Sequence, residues 1–476
     1  MRRIAIVGSG VAGLLAAHGL VRAGYDVTLY SDRTPEQWLN ECAPTGTAAR
    51  FDLALEYERE LGLNHWEKEA PQGGGVHMTV SLSQGNRLLT LTGRLDRYFQ
   101  ALDVRLQSHR WMYDLQERGG KLVFMQVTVD RLDKIAAAHE LTIVATGRGG
   151  MSHVFERDHV RTIEGPTRNL ALVIVRGVPM DFEGVPFLPI KVNILPDRGE
   201  AYWIPYYHKD LGPTWNLLFE ACPGGPFDRF REVRSAEETL AVAKQLVREH
   251  VPWEWSWLKG AEVTDPHGWL AGHITTTVRM PVGRLPSGRP VMALGDTAMT
   301  LDPVAGQGAN NGVKMARHLV DAIVARGGHP FDAQWMNAIF DDFYRRHGEM
   351  SQRFSNLLLG PLPPGMRELF IAQYGSDGTG NSGKQRMADA FMNNFNDPNM
   401  LTPILEDLGL SRRFISETTG KSWIRPAIAG RLGIARGQLR QKLGLEPRFP
   451  STPIMLPRPL QLVGAESIQG SADQRA

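Results

Sequence analysis

Short unbroken apolar runs open the chain. Arg3-Ile4-Ala5-Ile6-Val7 has the length and make-up of a buried strand, whose two faces both meet apolar neighbours. The run breaks at Gly8-Ser9-Gly10-Val11-Ala12-Gly13, and Leu14-Leu15-Ala16-Ala17 then predicts a helix reaching toward Gly24. Val27-Thr28-Leu29-Tyr30 predicts the second strand. Much later, Leu141-Thr142-Ile143-Val144-Ala145 runs into Thr146-Gly147, and Pro290-Val291-Met292-Ala293-Leu294 ends at Gly295-Asp296; both read as buried strands. Helical spacing covers Leu53 to Leu61 and Asp103 to Arg118, which stop at Gly62 and at Gly119-Gly120. Leu39 to Gly46 reads as a loop. Val76-His77-Met78-Thr79-Val80 and Leu88-Leu89-Thr90-Leu91 suggest strands.

From about residue 165 to 280 the texture changes. Strand-like runs at 169–176, 190–195, 201–206 and 215–220 are joined by Pro and Gly, with one charged helix at 235–250. This predicts a sheet-based platform for a substrate. Trp253, Trp255 and Trp257 read there as core aromatics, with an exposed partner surface as the alternative. Helical patterns follow near 310–326, 331–358 and 384–395. After 420 a basic run (Lys421, Arg425, Arg431, Arg436, Arg440, Lys442) reads as a solvated helical face, and the composition beyond Pro450 predicts a disordered tail.

These patterns predict an α/β chain: a Rossmann-like nucleotide-binding domain, a β-sheet substrate domain and C-terminal helices. Its parts are 1–165 (with substrate-loop insertions at 39–100), 166–285, a return to the first domain at 286–330, helices over 331–449, and the tail 450–476. A length of 476 residues accommodates such a division. The net charge of +2 gives no pull toward nucleic acid, and no run approaches the ~18 apolar residues of a membrane span. Met1-Arg2-Arg3 before an apolar stretch imitates a signal peptide, but the stretch breaks at Gly8. The two cysteines, Cys42 and Cys222, are too few for a disulfide framework or a zinc site and fit a reducing cytoplasm. No metal ligands are expected.

The chemistry lies in the glycines. In a strand, GxGxxG, helix, strand order, Gly8 makes the tight turn and Gly10 leaves room for a pyrophosphate. Gly13 lets the helix pack on the sheet, and the helix N–H groups hold the phosphate charge, with Val11 and Ala12 in the first turn. The acid that commonly ends the second strand is displaced: either Asp32 serves two residues late or Arg33 lies over the adenine. Nicotinamide and flavin stay open at this point. Leu294-Gly295-Asp296 places an acid at a strand end, where a flavin polyol chain would find an acceptor. Gly306-Gln307-Gly308-Ala309-Asn310 then opens a helix whose N–H groups would stabilise a reduced flavin.

Residues 1–33, 139–156 and 291–313 resemble the FAD-dependent aromatic monooxygenases of the para-hydroxybenzoate hydroxylase fold, a glutathione-reductase-like FAD domain with a substrate sheet. Within that fold the chain is similar to the oxygenase component of styrene and indole monooxygenases. The pieces include Tyr30-Ser31-Asp32-Arg33, Leu39-Asn40, Asp103-Val104-Arg105-Leu106, Ala145-Thr146-Gly147, Gly199-Glu200 with Ile204-Pro205, Asp302-Pro303-Val304-Ala305-Gly306 and Asn394-Phe395-Asn396. The resemblance implies that Gly8, Gly10 and Gly13 bind the FAD pyrophosphate with help from Arg105. It puts Asp296 on the ribityl chain, and Pro303 and the Gly306–Asn310 turn on the isoalloxazine. Asn40 and His77 would be the polar catalytic residues of the pocket.

Single-component hydroxylases of this fold carry an Asp-Gly where this chain has Thr146-Gly147, and no second GxGxxG is visible. The resemblance therefore implies a two-component enzyme. A separate NADH-dependent reductase supplies reduced FAD as a diffusing co-substrate, and dioxygen forms a C4a-hydroperoxyflavin that epoxidises or hydroxylates an apolar aromatic. A homodimer is left open. The alternatives are a single-component NAD(P)H-dependent hydroxylase and a flavin-dependent halogenase. Of the halogenase Trp-x-Trp-x-Ile-Pro pattern only Trp203-Ile204-Pro205 is present.

Overall fold

The computed structural model describes residues 2–46, 49–81, 86–182, 184–443 and 445. The expected tail 450–476 lies outside the described residues. The chain begins β1 (Arg3–Val7), α1 (Val11–Arg22), β2 (Asp26–Ser31). β1 pairs in parallel with β2, Arg3 opposite Asp26 through Val7 opposite Tyr30. The helix α2 (Pro35–Glu41) follows, started by a Thr34–Gln37 capping box, so the helix takes Leu39 to Glu41 and the expected loop begins only at Cys42. Then come β3 (Ala49–Arg50), α3 (Asp52–Glu60), β4 (Gly73–Val80), β5 (Leu89–Ala101), α4 (Val104–Glu117), β6 (Lys121–Phe124), α5 (Val129–Ala138) and β7 (Leu141–Val144).

The middle of the chain supplies β8 (Asn169–Arg176), β9 (Pro189–Leu195), β10 (Gly199–His208), β11 (Gly212–Ala221), α6 (Ala236–His250) and α7 (Trp255–Leu258). It goes on to β12 (Glu262–Val263), β13 (Trp269–His273), β14 (Thr277–Val278), β15 (Val282–Arg284), β16 (Pro290–Ala293) and β17 (Met299–Thr300). The helices α8 (Gln307–Arg326), α9 (Ala333–Phe343), α10 (Glu349–Leu359), α11 (Pro364–Ala372), α12 (Gly383–Asn393), α13 (Thr402–Glu406), α14 (Leu408–Thr419) and α15 (Ile424–Lys442) complete it.

Two large sheets organise these elements. The first has the order β15-β16-β7-β1-β2-β6, parallel throughout except where β15 meets β16. Its central strands are buried on both faces, which is why they read as unbroken apolar runs. The second has the order β12-β8-β11-β10-β9-β4-β5-β3, with β13 also on β8. The chain is thus an α/β protein with a Rossmann-like nucleotide-binding sheet, a second sheet and C-terminal helices.

Two boundaries differ from expectation. In the 39–100 insertion β5 pairs with β4 and β4 with β9, so the insertion and the later strands build one sheet. The strand β15, expected with the platform, pairs instead with β16 in the first sheet. Both follow from long-range backbone pairing, which local pattern does not encode. Trp257 is core: its ring lies 5.0 Å from Trp215 and 5.1 Å from Phe182, while Trp253 and Trp255 are half-buried.

Candidate functional site: two uncapped helix starts that converge

The β1–α1 turn has distinct uses for its three glycines. Gly8 sits at φ +117°, and a Cβ there would lie 2.3 Å from the Ala145 carbonyl oxygen. A Cβ on Gly13 would lie 2.2 Å from the Gly8 carbonyl oxygen. At Gly10 a Cβ would meet nothing within 4 Å. The empty space thus lies at Gly10, the position that must admit a phosphate. Gly10 is the N-cap of α1 and no side chain caps that helix, so its first N–H groups are available to an anion. Val11 and Ala12 are half-buried in the same turn. Ser9 Oγ braces the turn from behind, accepting from Trp38 Nε1 at 2.9 Å and sharing a 2.7 Å hydrogen bond with Ser31 Oγ.

A cleft of about 530 Å³ opens past the ends of β2 and α2, lined among others by Asp32, Arg33, Cys42, Pro44 and Arg148. Asp32 and Arg33 are exposed past the end of β2, and Arg33 lies 5.3 Å over the Trp38 ring. Arg148 also stands 3.9 Å from the Asp296 carboxylate. Through Arg148 the cleft reaches toward the segment that follows β16, while neither the glycine turn nor residues 295–310 line it.

Those segments meet at Ala12. Gly295 (φ +62°) would place a Cβ 3.1 Å from Ala12 Cβ, and Gly312 on α8 would place one at 3.6 Å. Asp296 is half-buried, as are Pro303, Gly306, Gly308 and Ala309. Gly306 sits in the left-handed region at φ +61°, and no side chain caps α8 behind it. Gln307 and Asn310 are different. Gln307 Nε2 donates to the Ala305 and Phe395 carbonyls, and Asn310 accepts from Phe51 N while donating to the Ala49 and Gly306 carbonyls. Both amides are buried and build the turn, so their side chains do not line a ring.

Three expected roles do not match their places. Arg105 is fully buried, and its guanidinium is held by Asp103 at 2.7 Å and Asp265 at 3.0 Å, so its donors already serve carboxylates rather than a pyrophosphate. Asn40 is exposed on the last turn of α2. His77 is buried, hydrogen-bonded through Nδ1 to Thr92 Oγ1 at 2.8 Å, and burial holds its pKa down at about 3. Strand alternation decides its direction. Val76, Met78 and Val80 pack in the cluster that includes Val304 and Ala305, so His77 points to the other face, beside Lys191. A pattern in which both faces of β4 are buried could not show which face meets the flavin turn.

A buried polar layer under residues 302–305 had no signal in the sequence. Tyr202 OH donates to the Val304 carbonyl at 3.2 Å, and Asp302 Oδ1 accepts from Val304 N at 3.0 Å. Arg168 pairs with Glu200 at 2.9 Å. Glu220, fully buried, has no donor near its oxygens. Desolvation first, then the charges of Asp302 and Glu200, push its pKa well up, which favours the neutral, protonated form of Glu220 beside Asp302. Only the packing of β11 against the 302–305 turn creates this pair.

The sign of the resulting pH effect is fixed. The folded pKa lies above the unfolded one, so this stabilisation is complete below the usual glutamate range. It is lost as pH rises toward the folded value, by about 1.4 kcal/mol per unit. Glu220→Gln keeps a neutral donor. The difference between its thermal midpoint and the wild type's is expected to shift in the variant's favour as pH rises above the usual glutamate range; a pH-independent difference would contradict a protonated Glu220.

Comparison with known proteins agrees with this architecture. Residues 147–256 match the family model described as "Styrene monooxygenase A putative substrate binding domain", and residues 6–34 match an NAD(P)-binding Rossmann-like domain. The chain is 27% identical over 421 residues to styrene monooxygenase StyA of Pseudomonas fluorescens, covering 83% of this chain and 93% of that protein. In fold it is similar to a flavoprotein/dehydrogenase from Cytophaga hutchinsonii (TM-score 0.60, 13% identity, 87% of this chain and 98% of the other). It is also similar in fold to the flavin-dependent halogenase CmlS (TM-score 0.56, 16% identity, 93% and 79%).

Proposed function

We propose that this chain, a styrene monooxygenase-like and FAD-dependent monooxygenase, is the oxygenase half of a two-component system and transfers oxygen to an apolar aromatic or heteroaromatic alkene. The observation that carries this is the approach of two uncapped helix starts, α1 after Gly10 and α8 after Gly306, with Gly295 and Gly312 both packed against Ala12. The residues present fit FAD. The α1 N–H groups and the space at Gly10 would receive the pyrophosphate. Asp296 would accept from the ribityl hydroxyls. The α8 start, with the half-buried Pro303 and Gly306, would hold the ring, and its free N–H groups would favour negative charge there.

Bound reduced FAD supplies the oxygen-activating chemistry. The protein's part is to hold the ring, exclude water and orient the alkene. The apolar face of the second sheet, with Val76, Met78 and Ile204 packed toward Val304 and Ala305, suits that task. The reductant would come from a separate NADH-dependent flavin reductase. Cys42 and Cys222 are free thiols, in keeping with a reducing cytoplasm.

The test is direct. Purified protein with NADH and FAD should leave the flavin oxidised. Adding any flavin reductase, air and indole or styrene should give indigo or styrene oxide. Flavin reduction by the chain alone would support the single-component hydroxylase instead.

A further inference from the structure

The C-terminal helix α15 is packed with its small residues inward and its large ones outward. Ala427, Gly430 and Gly437 are its buried positions. A Cβ at Gly430 would stand 1.9 Å from the Ile371 carbonyl oxygen of α11, and one at Gly433 would stand 2.4 Å from the Tyr374 ring. Arg431 bonds Glu368 at 3.0 Å, and Gln441 donates to the Arg87 carbonyl at 2.8 Å. These contacts fix the helix about its axis, so its opposite face cannot turn toward the core.

That opposite face carries Ile424, Ile428, Leu432, Leu439 and Leu443, each between 47% and 66% exposed. At 100° per residue they form one stripe about 28 Å long. Arg425 and Arg436 flank it on one side, Arg431 and Lys442 on the other, all exposed. No Asp or Glu occurs from Ile424 to Lys442. A core-facing helix puts its large apolar residues inside, and a stripe of this size left outside marks a surface that something covers.

We propose that this face of α15 docks on an anionic lipid surface. Charge complementarity selects the occupant. A second copy would lay basic flanks against basic flanks. A nucleic acid would take the cations but leave the Ile/Leu stripe in water. A bilayer surface accepts both, taking the stripe to the acyl boundary while its anionic headgroups meet the flanking Arg and Lys. No helix among the described residues is long and apolar enough to cross a membrane, so the contact would lie in the interface. The inference does not depend on the oxygenase reading.

The experiment uses the full chain and vesicles of phosphatidylcholine alone or mixed with phosphatidylglycerol, at low salt. Co-sedimentation should be at least about tenfold stronger with the anionic vesicles and weaken with added salt. Leu432→Glu/Leu439→Glu should abolish it. Arg425→Gln/Arg436→Gln should remove most of the preference for anionic lipid. These positions are exposed, and an unchanged thermal midpoint certifies the fold of each variant. Absence of binding by the wild type would overturn the proposal, as would binding that survives the Leu substitutions. A doubled mass in light scattering that Leu432→Glu halves, without lipid binding, would assign the face to a second copy. Capture by duplex DNA that ignores the Leu substitutions would assign it to nucleic acid.

Discussion

Gly10→Val should leave the protein folded and deprive it of flavin. The backbone at Gly10 is extended (φ −75°, ψ 176°), and a Cβ there touches nothing. A valine is therefore accommodated in the free chain, and the thermal midpoint should stay near that of the wild type. The side chain then fills the space through which a pyrophosphate reaches the α1 N–H groups. Forcing bulk into an occupied contact costs about 1–3 kcal/mol, so FAD affinity should fall on the order of 100-fold. Fluorescence titration with oxidised FAD and anaerobic titration with reduced FAD read this directly. The neighbouring glycine behaves oppositely. Gly13→Ala drives a Cβ to 2.2 Å from the Gly8 carbonyl oxygen, so α1 must move off the sheet and the protein should lose stability with or without flavin. A Gly10→Val protein that binds FAD like the wild type would remove this turn from consideration as the dinucleotide site.

Arg105→Met should lower stability by about 3–5 kcal/mol, the usual consequence of removing one partner of a buried ion pair. Arg105 is fully buried between Asp103 and Asp265, and its Nη2 also lies 3.5 Å from His208 Nε2. His208 in turn bonds Asp265 at 2.7 Å. The bonds from His208 and Arg105 hold the Asp265 pKa well below the carboxylate range despite burial, so that carboxylate stays charged. Removing the guanidinium leaves two carboxylates facing each other with one imidazole. The structure thus predicts an anchor tying α4 to the loop between β12 and β13. Urea unfolding of the flavin-free protein separates this from the pyrophosphate role that the resemblance implies. A pyrophosphate ligand would change FAD affinity and leave flavin-free stability nearly intact.

Much of the architecture could be read from pattern. β1, β2, β7 and β16 are central parallel strands, buried on both sides, and such strands are unbroken apolar runs in any sequence. The glycines at 8 and 13 were legible because a tight turn and a close helix restrict which residue fits, and Gly10 because the motif's spacing reserves that place for a ligand. The direction of His77 was not legible, since both faces of β4 are buried and a period of two carries no sign. Glu220 was invisible for another reason: its proton depends on Asp302, some eighty positions away, and on being sealed from water.

By itself the sequence determined the local conformations: strands, helix starts, and glycines where a Cβ or a negative φ is forbidden. These are short-range steric choices made within a few residues. The tertiary structure alone decided which carboxylates hold Arg105, which face of β4 meets the 302–305 turn, and that the Ile and Leu of α15 face outward. Those outcomes depend on desolvation and on contacts between distant segments, and they exist only once the chain has closed on itself.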